Sequence, residues 1–351
     1  MTSLKSTTAK SIRRLKQAKL RYLPDVMPGY SRIRCGRGFY YTDSSGKRIT
    51  DPLLLERFRA LVIPPAWKNV WISPSSRGHL QATGIDEEGR KQYRYHPEWT
   101  KDRQQEKLAR MVAFGFALPR IRKQVAADFR VNAFTLEKVT AVALRVMEAT
   151  LIRVGNEQYR RKYGSHGLTT LKKKHISIAQ NEVMFKFRGK KGVWQEITVR
   201  SASLAEVLSM LCQLPGAALF QYVDDAGSRH RLNPVLINAY IQRCLDGSFS
   251  SKDYRTWYAG LWAFRLFARQ PDPKDEKECK AIILSVLDAV SRRLGNTRTV
   301  CKQYYVPDSL ITAYEKGVLQ PYLRNSLNSK GISTPRQTEN QFLAFLKDAA
   351  K

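Results

Sequence analysis

Five polar residues that lie far apart in the chain are of the types that could act together on a phosphate ester. Arg153 follows a helical stripe of apolar residues, and Lys190 lies in a short loop between two strand-like runs. Arg255 falls in the first turn of a predicted helix, where a cation is mildly unfavourable and so needs a reason. Asn296 comes directly after the Leu-Gly pair that ends another predicted helix, and Tyr305 follows it by nine residues. Each has an ordinary structural explanation when taken alone.

Taken together, these side chains supply the groups needed to move a phosphodiester onto a protein hydroxyl. A tyrosine hydroxyl has an ordinary pKa of about 10, so nearby guanidinium groups must favour the phenolate nucleophile. Two arginines can hold the non-bridging oxygens as charge builds in the transition state, and asparagine adds a neutral donor. A lysine whose pKa is lowered by neighbouring cations can protonate the leaving oxygen. Such a site needs no metal or other cofactor, and the sequence has no metal-ligand spacing.

The charge of the chain indicates a polyanionic partner. Its 351 residues include 61 Lys plus Arg and 30 Asp plus Glu, a formal net charge of +31. An excess of this size repels itself unless a polyanion compensates it, and nucleic acid is the commonest such partner. Residues 1–100 carry +11 and the rest +20, so both parts are expected to face the same partner. A ribosome-like or membrane-surface role is the less specific alternative.

Composition also restricts the class of protein. A hydrophobic fraction of 43% can build a real core, and no apolar run is long enough for a transmembrane helix. The first 25 residues lack the apolar region of a secretory signal. Five widely spaced cysteines favour neither disulfides nor zinc, which fits a reducing cytoplasm. Cys301 is expected to be a small core residue, and the basic segment before Leu23 could be an arm or a helix.

The chain is predicted to fold as two domains of different class. In residues 1–100, turn chemistry at 43–46 predicts a hairpin between 37–42 and 47–50, and strand-like runs follow at 70–72, 80–83 and 92–95. From about residue 101 the apolar period changes to 3.6, which is typical of helices. Three alternating runs at 175–178, 183–187 and 194–199 interrupt it and predict a meander with Lys190 and Lys191 at its second turn. The fold class is therefore α+β: a mostly antiparallel β domain (1–100), then a larger, mainly α-helical domain (101–351) containing a three-stranded antiparallel sheet.

Several sequence blocks resemble a known family, the small type IB DNA topoisomerases of the poxvirus and bacterial kind. The resemblance covers nearly the whole chain, and the order of the blocks together with the nine-residue Asn-to-Tyr interval makes it specific. The blocks are 28–32 (PGYSR), 36–40 (GRGFY), 63–67 (IPPAW), 91–95 (KQYRY), 153–157 (RVGNE), 167–176 (GLTTLKKKHI), 187–190 (FRGK), 252–256 (KDYRT), and 295–296 (GN) with Tyr305.

This resemblance implies a role for each of the five residues. Tyr305 would be the nucleophile that forms a 3′-phosphotyrosyl link, and only the nine-residue spacing selects it over Tyr304. Arg153 and Arg255 would hold the scissile phosphate, and Lys190 would be the general acid. Poxvirus members have His where this chain has Asn296, although other bacterial members also carry Asn. Because Asn cannot titrate near neutral pH, this position should impose no His-like pH dependence.

The resemblance also implies a DNA-binding set. Gln92, Tyr93 and Tyr95 would lie on the DNA-facing surface of the first domain; a packed β surface is the alternative explanation for the tyrosines. In the second domain, the residues expected to support the phosphate and the catalytic groups are Tyr159, Thr170 and Lys252. The two domains would form a clamp around duplex DNA, which explains why both are basic.

The expected activity is relaxation of supercoiled duplex DNA by transient single-strand cleavage, rotation and religation, without ATP or metal. The enzyme is expected to be a cytoplasmic, nucleoid-associated monomer with double-stranded DNA as its partner, no membrane association and no obligate protein partner. A tyrosine recombinase or integrase is one alternative, although such enzymes usually carry His three positions before the second Arg, where this chain has Lys252. A non-catalytic basic DNA-binding protein is the other.

Overall fold

The computed structural model describes residues 19–245, 249–324 and 335–350, which form two compact units. The division falls between Lys107 and Leu108, within the 33-residue helix α2 (Pro97–Phe129). Most of the N-terminal basic segment, residues 1–18, lies outside the described residues. No helix in the described ranges is long and apolar enough to cross a membrane.

The first unit is built on a five-stranded antiparallel sheet with the strand order β2-β1-β3-β4-β5. The strands are β1 (Tyr30–Cys35), β2 (Gly38–Thr42), β3 (Lys68–Ile72), β4 (Leu80–Ile85) and β5 (Lys91–Tyr95). Helix α1 (Pro52–Ala60) begins at Asp51, whose side chain accepts a hydrogen bond from the Leu53 N–H. Its Phe58 is buried with Val70 and Ile72, which gives this unit its own small core.

The predicted N-terminal hairpin forms over a short stretch. The Asp43 N–H donates to the Lys47 carbonyl and the Ile49 N–H to the Tyr41 carbonyl, both at 2.9 Å, around a bridge between Thr42 and Arg48. Strand β2 also pairs along its length with β1, which was not predicted. The turn at 43–46 does form, because the Asp43 carboxylate accepts hydrogen bonds from the backbone N–H groups of Ser45 and Lys47. The chain then enters helix α1 almost at once, so too few residues remain for a longer hairpin.

The second unit is mainly helical and encloses one large apolar core. Its helices after α2 are α3 (Leu136–Thr150), α4 (Glu157–Tyr163), α5 (Ala202–Gln213), α6 (Pro234–Cys244), α7 (Ser251–Phe267), α8 (Glu276–Leu294), α9 (Arg298–Tyr304), α10 (Asp308–Glu315), α11 (Gln320–Arg324) and α12 (Pro335–Ala349). Helices α3 and α7 are buried on most of their faces, which matches their runs of apolar residues on every side. They form the centre of the unit.

The predicted meander is present in the second unit, as the antiparallel sheet β6-β7-β8. Its strands are β6 (Ile176–Ala179), β7 (Glu182–Arg188) and β8 (Trp194–Arg200). A single turn of 3₁₀ helix, Lys190–Gly192, joins β7 to β8. The short antiparallel pair β9 (Gln221–Val223) and β10 (Arg229–Arg231) was not predicted.

Arg122 in α2 forms hydrogen bonds to residues in three other helices of this unit. Its guanidinium donates hydrogen bonds to Glu339 in α12, to Glu148 in α3 at 2.8 Å and to the Tyr258 hydroxyl in α7 at 2.6 Å. Burial alone would lower the pKa of Arg122, but the bonds to Glu339 and the nearby carboxylates raise it above its ordinary value. The charge is therefore well compensated, and α12 is held against the core.

We predict that Phe342→Ala destabilises the second unit by about 3–5 kcal/mol, the usual loss for a large buried aromatic ring. Phe342 is fully buried in α12, with its ring centroid 5.1 Å from that of Trp257 and 5.4 Å from that of Phe264. Urea unfolding followed by tryptophan fluorescence measures the change. The matched control Val235→Ala, at a side chain that is 74% exposed, should stay within about 0.5 kcal/mol of wild type. Equal midpoints for the two variants would contradict the packing described.

Candidate active site

Four of the five predicted residues lie at or near the ends of helices in the second unit. Arg153 follows α3, whose last turn closes on Leu151 in a left-handed conformation. Asn296 follows α8, which ends at Gly295 with a φ of 59°, as a helix-terminating glycine requires. Arg255 lies early in α7, and Tyr305 is the residue that terminates α9. The end of α8 was correctly predicted from its Leu-Gly pair.

The two arginines meet at the carboxyl end of α8. Arg255 Nη2 donates to the Leu294 carbonyl oxygen at 2.6 Å, and Arg153 Nη1 donates to the same oxygen at 3.2 Å. Arg153 Nη2 also donates to the Gly295 carbonyl at 3.1 Å and to the side-chain oxygen of Asn296. The last carbonyls of a helix carry partial negative charge, so they hold two guanidiniums that would otherwise repel each other.

The ring of Tyr305 lies beside this pair of cations. The Arg255 guanidinium carbon is 5.2 Å from the Tyr305 ring centroid, within range of a cation–π interaction. Tyr305 is half-buried against the core, whereas Tyr304 is 51% exposed. The backbone N–H groups of Tyr305 and Val306 both donate to the Cys301 carbonyl, at 3.0 and 3.1 Å. Since Cys301 and Val306 are fully buried, they fix the backbone on which Tyr305 is carried.

The guanidinium charges at this place are poorly compensated. Burial is the largest cause that lowers the pKa of Arg255; the charge of Arg153 acts in the same direction, and Tyr305 opposes both. Burial also lowers the pKa of Arg153. Arginine stays protonated in proteins, so these shifts express the cost of holding two cations away from water.

Two buried donors at the site have no hydrogen-bond partner in the part of the chain that the structure describes. They are Nε of Arg255 and Nδ2 of Asn296. Buried donors are almost always satisfied in folded proteins, so these two are groups that can still give a hydrogen bond. With the adjacent cations, these donors suit an anion that has several acceptor oxygens, and a phosphodiester is such a group.

Lys190 reaches the same site from the sheet. It lies on the exposed turn between β7 and β8 and lines a cavity of about 840 Å³ together with Arg153, Gln195 and Asn296. The turn is closed by hydrogen bonds from the Gly189 N–H to the Val193 carbonyl at 2.7 Å and from the Gly192 N–H to the Gly189 carbonyl at 3.0 Å. Lys190 thus shares a cavity with Arg153 and Asn296, and Arg153 in turn meets Arg255, beside Tyr305, at the Leu294 carbonyl.

The predicted DNA-binding residues of the second unit are in differing surroundings. Tyr159 is 57% exposed on α4 and stacks on Tyr163, with ring centroids 5.8 Å apart. Lys252 is exposed in the first turn of α7. Thr170 is buried, and its hydroxyl accepts from the Gly167 N–H at 2.9 Å.

Thr170 thereby braces the loop that carries Arg153. The turn at 167–170 is hydrogen-bonded to the loop that contains Arg153. The Leu168 N–H donates to the Arg153 carbonyl at 2.8 Å, and the Thr169 N–H donates to the Val154 carbonyl at 2.9 Å. A methyl group on Gly167 would come within 2.6 Å of the Arg153 carbonyl oxygen, so glycine is needed for this close approach.

The three residues predicted to bind DNA in the first unit lie on its edge strand β5. Tyr93 and Tyr95 are each nearly half exposed, and their rings stack with centroids 5.9 Å apart and an interplanar angle of 10°. About half of each side chain is thus accessible, while the rings pack on each other and the Tyr95 ring centroid also lies 6.3 Å from that of His79. Gln92 Nε2 donates to the Asp86 carboxylate at 2.8 Å, so its side chain is held in place by a local bond.

Two residues near the site were not predicted as parts of it. Gln195 lines the cavity from β8. The only sequence signal for it is that it shares one face of the strand with Ile197 and Val199. Asp253 lies in the first turn of α7, where its carboxylate accepts from the Ser250 N–H at 2.8 Å. It also pairs with Arg110, 143 residues away, which no local pattern reveals. In the described ranges no three His, Cys, Asp or Glu side chains are grouped as a metal site.

The chain is similar to known proteins over most of its length. Residues 96–318, more than half of the chain, match the family described as "Eukaryotic DNA topoisomerase I, catalytic core". Residues 38–86 match "Bacterial DNA topoisomerase IB, N-terminal domain". DNA topoisomerase 1B of Acanthamoeba polyphaga mimivirus is 32% identical over 299 residues, which cover 83% of this chain and 88% of the viral protein. The chain belongs to the type IB DNA topoisomerase family, which confirms the predicted family and fold class.

More distant relatives are similar over shorter stretches. DNA topoisomerase 1B of Vaccinia virus (strain Copenhagen) is 23% identical over 249 residues, covering 70% of this chain and 75% of the viral protein. Among solved structures, the XerH site-specific recombinase bound to a palindromic difH substrate shows a TM-score of 0.37 at 11% identity. That match covers 56% of this chain and 49% of the recombinase chain.

We predict that Arg255→Met raises the stability of the free protein by about 1–2 kcal/mol, because replacing a poorly compensated buried cation by an apolar side chain of similar length is often stabilising. The same variant should lose DNA cleavage. Thermal unfolding and a cleavage assay measure the two effects.

The matched control is Arg122→Met. This change removes a compensated cation and leaves Glu339 and Glu148 without their partner. We therefore expect the free energy of unfolding to fall by about 2 kcal/mol, allowing for the partial exposure of Arg122. A lower stability for Arg255→Met than for Arg122→Met would show that the charge of Arg255 is compensated after all.

Proposed function

We propose that this protein relaxes supercoiled duplex DNA as a type IB topoisomerase, by cutting one strand through a 3′-phosphotyrosyl intermediate and resealing it after rotation. The observation that carries the proposal is the meeting of Arg153 and Arg255 on the Leu294 carbonyl, beside the ring of Tyr305. Membership of the type IB family supports it. It is favoured over a tyrosine recombinase, since both family matches are to topoisomerases.

The cleavage step exchanges one phosphate ester for another. The deprotonated Tyr305 oxygen attacks the scissile phosphorus, a tyrosine–phosphorus bond forms, and the bond from phosphorus to the 5′ oxygen breaks. Lys190 gives its proton to that leaving oxygen, so a free 5′ hydroxyl results. Arg153, Arg255 and the unpaired Asn296 amide donate to the non-bridging oxygens, whose negative charge is largest in the transition state.

The reaction as proposed needs neither ATP nor a metal ion. A phosphotyrosyl ester is close in free energy to the phosphodiester it replaces, so the returning 5′ hydroxyl can reverse the cut. While one strand is open, the torsional strain of supercoiled DNA drives rotation about the intact strand. The site supplies positive charge from arginine and lysine side chains, which is the role that metal ions have in many other phosphoryl-transfer enzymes.

DNA binding is proposed to involve both parts of the chain, 1–100 and 101–351. The net charge of +31 supports strong, salt-sensitive contact with phosphates. The stacked, exposed Tyr93 and Tyr95 offer flat surfaces and hydroxyls to DNA in the first part, with Gln92 beside them. In the second, the exposed Tyr159 and Lys252 are proposed contacts, whereas Thr170 acts by bracing the Arg153 loop. The enzyme is proposed to work as a nucleoid-associated monomer in the cytoplasm.

We predict that Tyr305→Phe abolishes both plasmid relaxation and the covalent DNA adduct, yet leaves the affinity for DNA nearly unchanged, since it removes only the nucleophilic oxygen. Relaxation of supercoiled plasmid without ATP or metal, and gel analysis of end-labelled DNA after denaturation with detergent, measure these effects. Tyr304→Phe is the matched control and should keep both activities. If Tyr305→Phe relaxed DNA, or Tyr304→Phe did not, the assignment of the nucleophile would be wrong.

We predict that Lys190→Ala slows cleavage of an ordinary 5′-oxygen linkage by about 10²-fold or more, as expected for loss of a general acid. A 5′-bridging phosphorothiolate should be cleaved at nearly the wild-type rate, because sulfur leaves without protonation. Single-turnover cleavage of the two duplexes gives the comparison. Lys186→Ala, which removes an exposed lysine paired with Glu196 on the same hairpin, is the control and should affect neither. Equal slowing of both substrates by Lys190→Ala would exclude the general-acid role.

A further inference from the structure

The side chain of Gln195 lies between two glycines that belong to different parts of the site. Gln195 is on β8, at the start of the strand that follows the Lys190 turn. A methyl group on Gly295 would lie 2.7 Å from Gln195 Nε2 and 2.8 Å from its Oε1. A methyl group on Gly189 would lie 3.0 Å from Gln195 Cγ. The contacts at Gly295 are shorter than a carbon atom tolerates and the contact at Gly189 is tight, so the glutamine packs directly on the two glycine backbones.

These two glycines neighbour the residues that must act together. Gly189 immediately precedes Lys190, the proposed general acid. Gly295 immediately precedes Asn296 and gives its carbonyl to Arg153 at 3.1 Å. Gln195 is therefore a spacer between the turn that carries the acid and the helix end that carries the phosphate-holding groups.

The contact with Gln195 is the tightest one that a side chain at Gly189 would make. Gly295 needs glycine for its left-handed φ of 59°, whatever lies next to it. Gly189 has a φ of −87°, which any residue can adopt. A side chain there would crowd Gln195, which would have to shift by a few tenths of an ångström, and such a close approach is a common reason for glycine next to a strand.

Lys190 also needs such a support. Its side chain is long and flexible, and its turn is exposed, so the position of the turn relative to α8 decides where the ammonium group can reach. A displacement of about 1 Å of a reacting group can cost roughly 10²-fold in rate. The amide of Gln195 is held locally, with Nε2 donating to the Trp194 carbonyl at 3.2 Å, which favours a packing role.

We propose that Gln195 is a positioning residue, whose side chain sets the distance between the Lys190 turn and the Asn296–Arg153 end of α8. The inference rests on the proposed function, because it assigns Gln195 to the proton-transfer half of the cleavage step. It predicts that loss of the side chain acts through Lys190 and leaves the arginines and Tyr305 in place.

The test compares Gln195→Ala and Gln195→Met in single-turnover cleavage of a 5′-oxygen duplex and a 5′-bridging phosphorothiolate duplex. Gln195→Ala should lower the cleavage rate of the 5′-oxygen duplex by about tenfold or more, which is part of the contribution of the general acid. The cleavage rate of the phosphorothiolate duplex should change by less than about threefold. Gln195→Met keeps the length and volume of the spacer without the amide and should stay within about threefold of wild type on both. In a Lys190→Ala background, Gln195→Ala should cause no further slowing.

Gln242→Ala, at an exposed glutamine on α6, is the matched control and should change neither rate. Equal slowing of both substrates by Gln195→Ala, or no slowing of either, would overturn the inference. Failure of Gln195→Met to match wild type would also overturn it, because the amide would then act directly on DNA. If the wild-type protein formed no covalent adduct, the proposed function itself would fail. If wild type and Lys190→Ala behaved as expected and Gln195→Ala did not, only the role of Gln195 would be wrong.

Discussion

The site depends on one oxygen atom, the carbonyl of Leu294 at the end of α8. It accepts hydrogen bonds from both guanidiniums, at 2.6 Å from Arg255 and 3.2 Å from Arg153. Two cations this close repel each other, and the negative end of a helix offsets only part of that repulsion. The two guanidiniums are therefore held in place, but their positive charge is only partly compensated. In the proposed reaction a phosphodiester supplies the missing negative charge, and its interaction with the two guanidiniums strengthens as negative charge builds on its oxygens in the transition state.

The core of the second unit determines how well this arrangement is held. Helices α3 and α7 are buried on most faces, and α8 packs beside α7, so the elements that carry Arg153, Arg255 and Leu294 share one apolar core. Tyr305 is fixed through the buried Cys301 and Val306. Lys190 differs, because it lies on an exposed turn of the sheet. The proposed phosphate-binding groups are thus set by the core, whereas the position of the proposed proton donor depends on how the sheet packs against the end of α8.

Local patterns predicted the parts of the fold whose cause is local. The Leu-Gly pair that ends α8, the meander with Lys190 at its turn and the mainly helical character of the second unit follow from periodicity and turn chemistry. The short hairpin around 43–46 also follows from its turn residues, but the longer pairing of β2 with β1 was not predicted, because that pairing is decided by the whole sheet. Gln195 and the pairing of Asp253 with Arg110 could not be predicted. Both depend on contacts between segments that are distant in the sequence.

The central claim is that both guanidiniums act on one phosphorus within reach of the Tyr305 oxygen. The most direct measurement is a crystal structure of the protein with vanadate and a nicked DNA duplex, in which vanadium takes the place of the pentacoordinate phosphorus. We expect the Tyr305 oxygen bonded to vanadium at one apex, with Arg153 and Arg255 each donating to equatorial oxygens at about 2.7–3.1 Å. Vanadium bonded to Tyr304, or either guanidinium remaining on the Leu294 carbonyl without contact to the vanadate, would contradict the account.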